Sequence, residues 1–470
     1  MNLKKQVVIL VVVLVLFISF GCVNTTKAKL GNSLREDRNG WVFVHLEGTP
    51  AQIGFQHGYL LAPEIDDALQ MFAFYLEGAT KKDWKFYREA AERMLWPKLE
   101  AEYQEEIQGI AEGVKARLPG KNYDRIDITA LNGWIELAWY YVPYLEAKQK
   151  TGSGESKAPG YCSAFIANGS YTEDGQIVIG HNAWSEYIVG ERWNVIEDIA
   201  PAKGHRILMD AIPGYIHSGD DFAINSAGIL YTETTISQFK GFKEDATPEF
   251  MRARKAAQYA GSIDDFVRIM TTDGNGAYAN DWLLGDTKTN EIAKLELGLK
   301  NHRVWRSKDG YFVGSNWAGD EKLIAEETTF NSQDTTQSVF VRKARWEQLM
   351  AENKGKINAE LGKAFEADHI DASTGTEAVN ANVLCGHVDM EPKGVPEFAQ
   401  VSFFPSGAHQ AKVTTAALAK DLKIWAKMGH PCGRDFIASA FFEKHPEYKW
   451  MGKFLKDMKG NPWTLFEAKK

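Results

Sequence analysis

Lys148–Tyr161 reads KQKTGSGESKAPGY, and Cys162-Ser-Ala-Phe-Ile-Ala-Asn168 follows it directly. The first stretch is rich in Gly, Ser and Lys and lacks apolar periodicity. It is the clearest linker in the chain, of the exposed kind that invites cleavage. The second starts a strand, so a cysteine stands where linker gives way to sheet. Texture changes at this junction, from helical before it to β after it.

Before the junction, Trp41–Leu46 alternates like a strand. Asp83–Leu118 carries apolar residues at helical spacing, interrupted at Pro97, and Asp127–Leu145 is a second, very aromatic helix candidate with Pro143 near its end. After the junction, three hairpins are expected. Cys162–Tyr171 and Gln176–Trp184 flank Thr-Glu-Asp-Gly; Asp221–Asn225 and Ile229–Ile236 flank Ser-Ala-Gly; Asn280–Asp286 and Glu291–Leu297 flank Thr-Lys-Thr-Asn. Between the last two, Pro248–Tyr259 and Ile263–Met270 read as helices, with Thr247 as cap and Pro248 at the first position. Val339–Asn353 and Thr415–Met428 read as amphipathic helices, the latter stopped by Gly429. Hairpins alternating with helix pairs predict an α+β fold of antiparallel sheets covered by helices.

The whole chain has 470 residues, 44% hydrophobic and 25% charged, with a net charge of -8. That composition disfavours disorder and multiple membrane spans. A protein built to neutralise phosphates tends to be basic, so no nucleic-acid partner is expected. Four cysteines are no disulfide scaffold. Lys4 and Lys5, the apolar run Val7–Phe20 and Gly21-Cys22 fit an export signal with a lipoprotein-type processing site at Cys22. Membrane association through that terminus follows, and Val23–Gly40 reads as a tether. The expected organisation is an export segment 1–22, tether 23–40, helical region 41–147, activation linker 148–161 and catalytic region 162–470. Export also allows a disulfide between Cys385 and Cys432.

Scission between Tyr161 and Cys162 would place a thiol and a free α-amine on one residue. The amine titrates near ~8 and the thiol near ~8.5, so the amine can take the thiol proton and later return it. Nucleophile and general base are then joined covalently.

Cys162-Ser-Ala-Phe and Gly180-His-Asn-Ala-Trp-Ser-Glu-Tyr187 resemble the phospholipase B-like family of N-terminal nucleophile hydrolases. Ile212–Phe222, Thr232–Ile236, Tyr278–Trp282 and Pro405–Thr414 continue the resemblance in order. Glu47-Gly-Thr-Pro and Gly54-Phe-Gln-His-Gly58 resemble the opening of related self-processing acyltransferases. The resemblance implies an αββα sandwich, autocatalytic cleavage before Cys162, and an N-terminal fragment that stays packed on the catalytic part. It implies a small-molecule acyl substrate, an amide or ester with lipids among the candidates.

Cys162 is the expected nucleophile. His181 would orient the amine or the carbonyl. Asn280 is the expected oxyanion donor, and Thr234 is expected to line the cleft. Asn182, Trp184, Asp281 and Trp282 complete the expected substrate-binding set. No cofactor is expected. Asp220-Asp221 could bind a hard cation, but no HxH, HExxH or CxxC accompanies the pair, so no metal is expected. Two other readings stay open: an acyltransferase using the same acyl-enzyme, and a surface lipoprotein that binds ligands without catalysis.

Overall fold

The computed structural model describes residues 26–149, 162–219 and 221–470. Cys22, the apolar run before it, Tyr161 and Asp220 lie outside the described residues. The strands run β1 (Leu34–Arg38), β2 (Trp41–Gly48), β3 (Ser163–Asn168), β4 (Val178–Glu186), β5 (Val195–Pro201), β6 (Ile207–Ala211), β7 (Phe222–Asn225) and β8 (Ile229–Thr235). They continue as β9 (Asn280–Asp286), β10 (Glu291–Leu297), β11 (His302–Ser307), β12 (Gly310–Gly314), β13 (Ile370–Asp371), β14 (Thr376–Glu377), β15 (Ser406–Thr415), β16 (Lys423–Met428) and β17 (Thr464–Glu467).

Nine strands form one sheet in the order β1-β2-β5-β6-β7-β8-β9-β10-β11, and six form another in the order β12-β3-β4-β15-β16-β17. The three expected hairpins are present: Ser163 opposes Asn182, Phe222 opposes Thr232, and Leu297 opposes Asn280. Ile166, Ile179, Ile196, Leu208, Leu230, Leu283 and Ile424 from both sheets form one apolar cluster, so the sheets face each other. Alternation sends Phe165 and Val178 the other way, against Trp346 and Phe365 of two covering helices. Val44, Met209, Tyr231 and Trp282 likewise leave the nine-stranded sheet to meet helices on its far side. The result is an α+β arrangement of two large sheets with helices on both outer faces.

On that far side lie α1 (Pro50–Leu60), α2 (Ala62–Thr80), α3 (Ala101–Arg117), α4 (Glu249–Tyr259) and α5 (Ile263–Thr271); α6 (Ser338–Glu352) and α7 (Ala359–Glu366) cover the smaller sheet. Thr49-Pro-Ala-Gln52 starts α1 with a reciprocal capping box and Pro at the first turn. Helices α1 and α3 touch backbone to backbone. A Cβ at Gly54 would lie 1.9 Å from the Glu106 carbonyl oxygen, and one at Gly58 would lie 2.0 Å from that of Ile110. Gly109 and Gly113 meet α1 in the same way from the other helix. Only residues without a Cβ permit that approach.

Several expectations change. Leu34–Arg38, within the expected tether, is the edge strand β1. Strand β2 pairs parallel with β5, so the region before the linker supplies two strands to the larger sheet, and that sheet is not wholly antiparallel. Thr415–Met428 is not one helix: Ala416–Lys420 forms a single short turn and Lys423–Met428 is β16, paired with β15 and β17. Ile424, Ala426 and Met428 are buried at a period of two, and this strand covers what would otherwise be an exposed edge of β15. The stretch expected as one helix over Asp127–Leu145 divides into Arg125–Asn132, a π-helical segment Glu136–Tyr141 and the helix Val142–Gln149, with Pro143 at the second position of the last. Pro248 is itself the cap residue of α4, whose first N–H groups, from Glu249 and Phe250, donate to the Glu136 carboxylate at 3.1 and 3.2 Å. No helix among the described residues is long and apolar enough to cross a membrane.

Candidate active site at Cys162

Cys162 immediately precedes β3 and has φ +87°, a left-handed conformation that costs a non-glycine residue about 1–3 kcal/mol. Its sulfur is buried yet borders a narrow cleft walled by Trp134, Trp139, Tyr140, Trp184, Trp193 and Tyr278. The free space there is about 20 Å³, room for roughly one water. Aromatic side chains make up most of the wall, and Ser185, Glu186 and Asp221 add polar groups to it.

Strand alternation and register assemble the polar groups. His181 projects from β4 into the space between the sheets, where its ring, the Cys162 sulfur and the Asp221 carboxylate have atoms within 4.8 Å of one another. Lys412 on β15 lies opposite His181 in the register. Its fully buried ammonium reaches Asp210 at 2.9 Å and Asp221 at 3.3 Å. The ion cluster thus runs beneath the thiol and the imidazole. Burial holds the His181 cation well below its usual pKa, and Lys412 and His409 add repulsion, so the ring is neutral at neutral pH. Burial likewise pushes the Cys162 thiol up, and Asp221 and Glu233 reinforce the shift. The sulfur therefore carries its proton at neutral pH. Asp221, one of the pair considered for a cation, shares the Lys412 ammonium with Asp210.

Arg342 fixes the backbone of the cysteine. From α6 its guanidinium donates to the Cys162 carbonyl at 2.7 Å, Ser163 Oγ at 2.9 Å and Asn316 Oδ1 at 2.9 Å. The same group lies 4.4 Å from the centre of the Trp184 ring. Burial lowers its pKa to about 9, which still leaves it charged at neutral pH.

The other expected site residues do not gather at one place. Trp184 lines the cleft. Asn280 belongs to a polar chain beside it: its amide nitrogen donates to Glu233 Oε2 and to the Ala279 carbonyl, both at 2.9 Å in the orientation that satisfies its partners. Thr234 turns between the sheets, where its hydroxyl lies against Gly314, whereas Thr235 donates to the hydroxyl of the cleft residue Tyr278 at 2.5 Å. Asn182, Asp281 and Trp282 do not line the cleft. The Asn182 amide donates to the carbonyls of Glu366 at 2.7 Å and Leu384 at 2.9 Å, on the opposite face of β4 from His181. Asp281 pairs with buried Lys294 at 2.9 Å. Trp282 packs edge-on against Tyr231 and Phe266 beneath α5.

Lys412, Asp210, Arg342 and Glu233 were not singled out by residue pattern. One signal existed: Arg342 occupies the apolar stripe of α6 with Val339, Trp346 and Leu349. A cation at a core position of an amphipathic helix needs a buried partner.

A sequence profile of the phospholipase B family matches residues 66–313, more than half of the chain. The chain belongs to the phospholipase B family. Among its relatives, an uncharacterized protein of Archaeoglobus fulgidus is 25% identical over 69% of this chain and 57% of its own length. Phospholipase B-like 1 of Homo sapiens is 26% identical over 57% of this chain and 54% of its own. The chain thus spans a little over half the length of these relatives. The family name suggests a hydrolase.

Proposed function

We propose that this chain is an N-terminal nucleophile cysteine hydrolase of αββα type that cuts itself before Cys162 and then cleaves acyl amide or ester bonds. The observation that carries the reading is the placing of Cys162: strained, at the head of a strand, on an aromatic cleft and beside a neutral imidazole.

In maturation, Sγ attacks the Tyr161 carbonyl carbon and the C–N bond to Cys162 breaks. The thiol proton passes to the departing nitrogen, for which His181 is the relay. Water then hydrolyses the thioester, giving a carboxylate at Tyr161 and restoring the thiol. The φ torsion of Cys162 is defined by the Tyr161 carbonyl carbon, so scission removes the strained torsion itself. In turnover the freed α-amine accepts the thiol proton, the sulfur forms a thioester with the acyl group, and the leaving amine or alcohol takes the proton. Water, activated by the same amine, releases the acid. Asn280 and neighbouring N–H groups are the candidates to hold the oxyanion, and export by the first 22 residues would deliver the enzyme to acyl substrates outside the cytoplasm.

Intact mass and N-terminal sequencing of purified protein test this. Two fragments, the larger beginning at Cys162, are expected from wild type, and one uncut chain from Cys162→Ala. An uncut wild type that still hydrolyses acyl substrates would remove the mechanism.

A further inference from the structure

Away from the cleft, His369, Cys385, His387 and Cys432 converge, each offering one ligand atom within 4.8 Å of the others. Both cysteines are free thiols in the structure, so the disulfide allowed by the sequence is not formed. His369 Nε2 and His387 Nε2 are 3.1 Å apart, and Cys432 Sγ lies 3.8 Å from His387 Nε2. We propose that these four side chains form a structural zinc site that anchors the loop behind Trp184.

The donor set and the spacing both fit. Zinc–sulfur bonds near 2.3 Å and zinc–nitrogen bonds near 2.0–2.1 Å give a tetrahedron with edges of roughly 3.3–3.8 Å. The nitrogen–nitrogen separation of 3.1 Å falls about 0.2 Å short of that range and the sulfur–nitrogen separation of 3.8 Å lies at its upper end, so small side-chain shifts would seat the ion. Two thiolates and two neutral imidazoles balance the charge of one Zn²⁺, which suits a site whose central ligands Cys385 and His387 are buried. Two sulfurs and two nitrogens in this arrangement favour zinc over harder cations. Four protein ligands leave no open position, so the site is structural rather than catalytic. The His387 ring also meets Asp389 and His430 within 4.8 Å, and Asp389 accepts from the Tyr187 hydroxyl at 2.8 Å. His387 Nδ1 makes no hydrogen bond of its own, so Asp389 places a carboxylate near the ring without fixing its tautomer.

The ligands come from two separate loops. His369, Cys385 and His387 flank the small β13–β14 hairpin, and Cys432 follows β16. Gly386, between two ligands, presses on the Trp184 ring: a Cβ there would lie 2.1 Å from it. The metal would therefore clamp the loop that backs one wall of the Cys162 cleft. The inference does not depend on Cys162 being a nucleophile.

The test is elemental analysis of the full chain, purified with a non-chelating reductant, incubated with Zn²⁺ and desalted. One zinc per chain is expected, falling to near zero in Cys432→Ser and in His369→Ala, with circular dichroism confirming that each variant is folded. His369 is partly exposed, so its variant guards against misfolding. Cobalt loading should add a thiolate charge-transfer band that both variants lose, and chelation should lower the melting temperature of wild type alone. No retained zinc in the reduced wild type, or a zinc count unchanged in both variants, would overturn the proposal. So would a Cys385–Cys432 disulfide in metal-free protein that the reductant does not convert to a zinc-binding form.

Discussion

Arg342 donates to the carbonyl oxygen of Cys162 at 2.7 Å while its guanidinium covers the Trp184 ring. One buried cation therefore sets both the backbone of the candidate nucleophile and a wall of its cleft. A lysine has the charge but not the planar fork, and cannot reach the Cys162 carbonyl, Ser163 and Asn316 together. Arg342→Lys should slow the appearance of the two fragments roughly ten- to hundredfold, the equivalent of losing one charge-assisted hydrogen bond. Timed gel analysis of freshly translated protein checks this, and an unchanged rate would assign Arg342 to packing alone.

Asp210 and Asp221, both buried, share the single Lys412 ammonium. Lys412→Met leaves Asp210 and Asp221 without their cation and should cost about 3–5 kcal/mol in urea unfolding. Adding Asp210→Asn and Asp221→Asn to that variant should recover much of the loss, because no unpaired charge then remains. If the triple variant is no more stable than Lys412→Met, the ion cluster is not the source of the effect.

The parallel pairing of β2 with β5 and the glycine contact of α1 with α3 hold the first region in place. After scission the fragments on either side of residue 161 should coelute in size-exclusion chromatography and separate only in denaturant. Gly58→Ala forces a Cβ into the Ile110 carbonyl and should destabilise the protein by at least the ~1–3 kcal/mol typical of overpacking. Fragments that part under native conditions would contradict the shared sheet.

Burial pushes the Glu136 carboxyl up to about 7, against hydrogen bonds from Asn275 and the first N–H groups of α4. The folded chain therefore binds this proton more tightly than the unfolded chain, in which it titrates near 4.5. Its stabilising contribution is complete below that lower value and is lost as pH rises through the upper one. The loss is about 3 kcal/mol. Urea midpoints between pH 4.5 and 8 should show Glu136→Gln with a flatter profile than wild type; parallel profiles would refute the assignment.

Local pattern determined a good part of this protein. Turn residues between alternating runs located three hairpins, and the change of texture at Lys148–Tyr161 isolated Cys162. These features were legible because turn chemistry and strand alternation act within a few residues. Tertiary structure alone decided that Lys423–Met428 extends a sheet, since its short amphipathic run fits either period until β15 presents an edge. It also decided that Asn182, Asp281 and Trp282 face away from the cleft while Lys412 and Arg342 serve it, and that two cysteines and two histidines spread from residue 369 to 432 meet at one point. Long-range pairing sets such positions, because the energy of a buried charge or ligand depends on partners that sequence spacing does not specify.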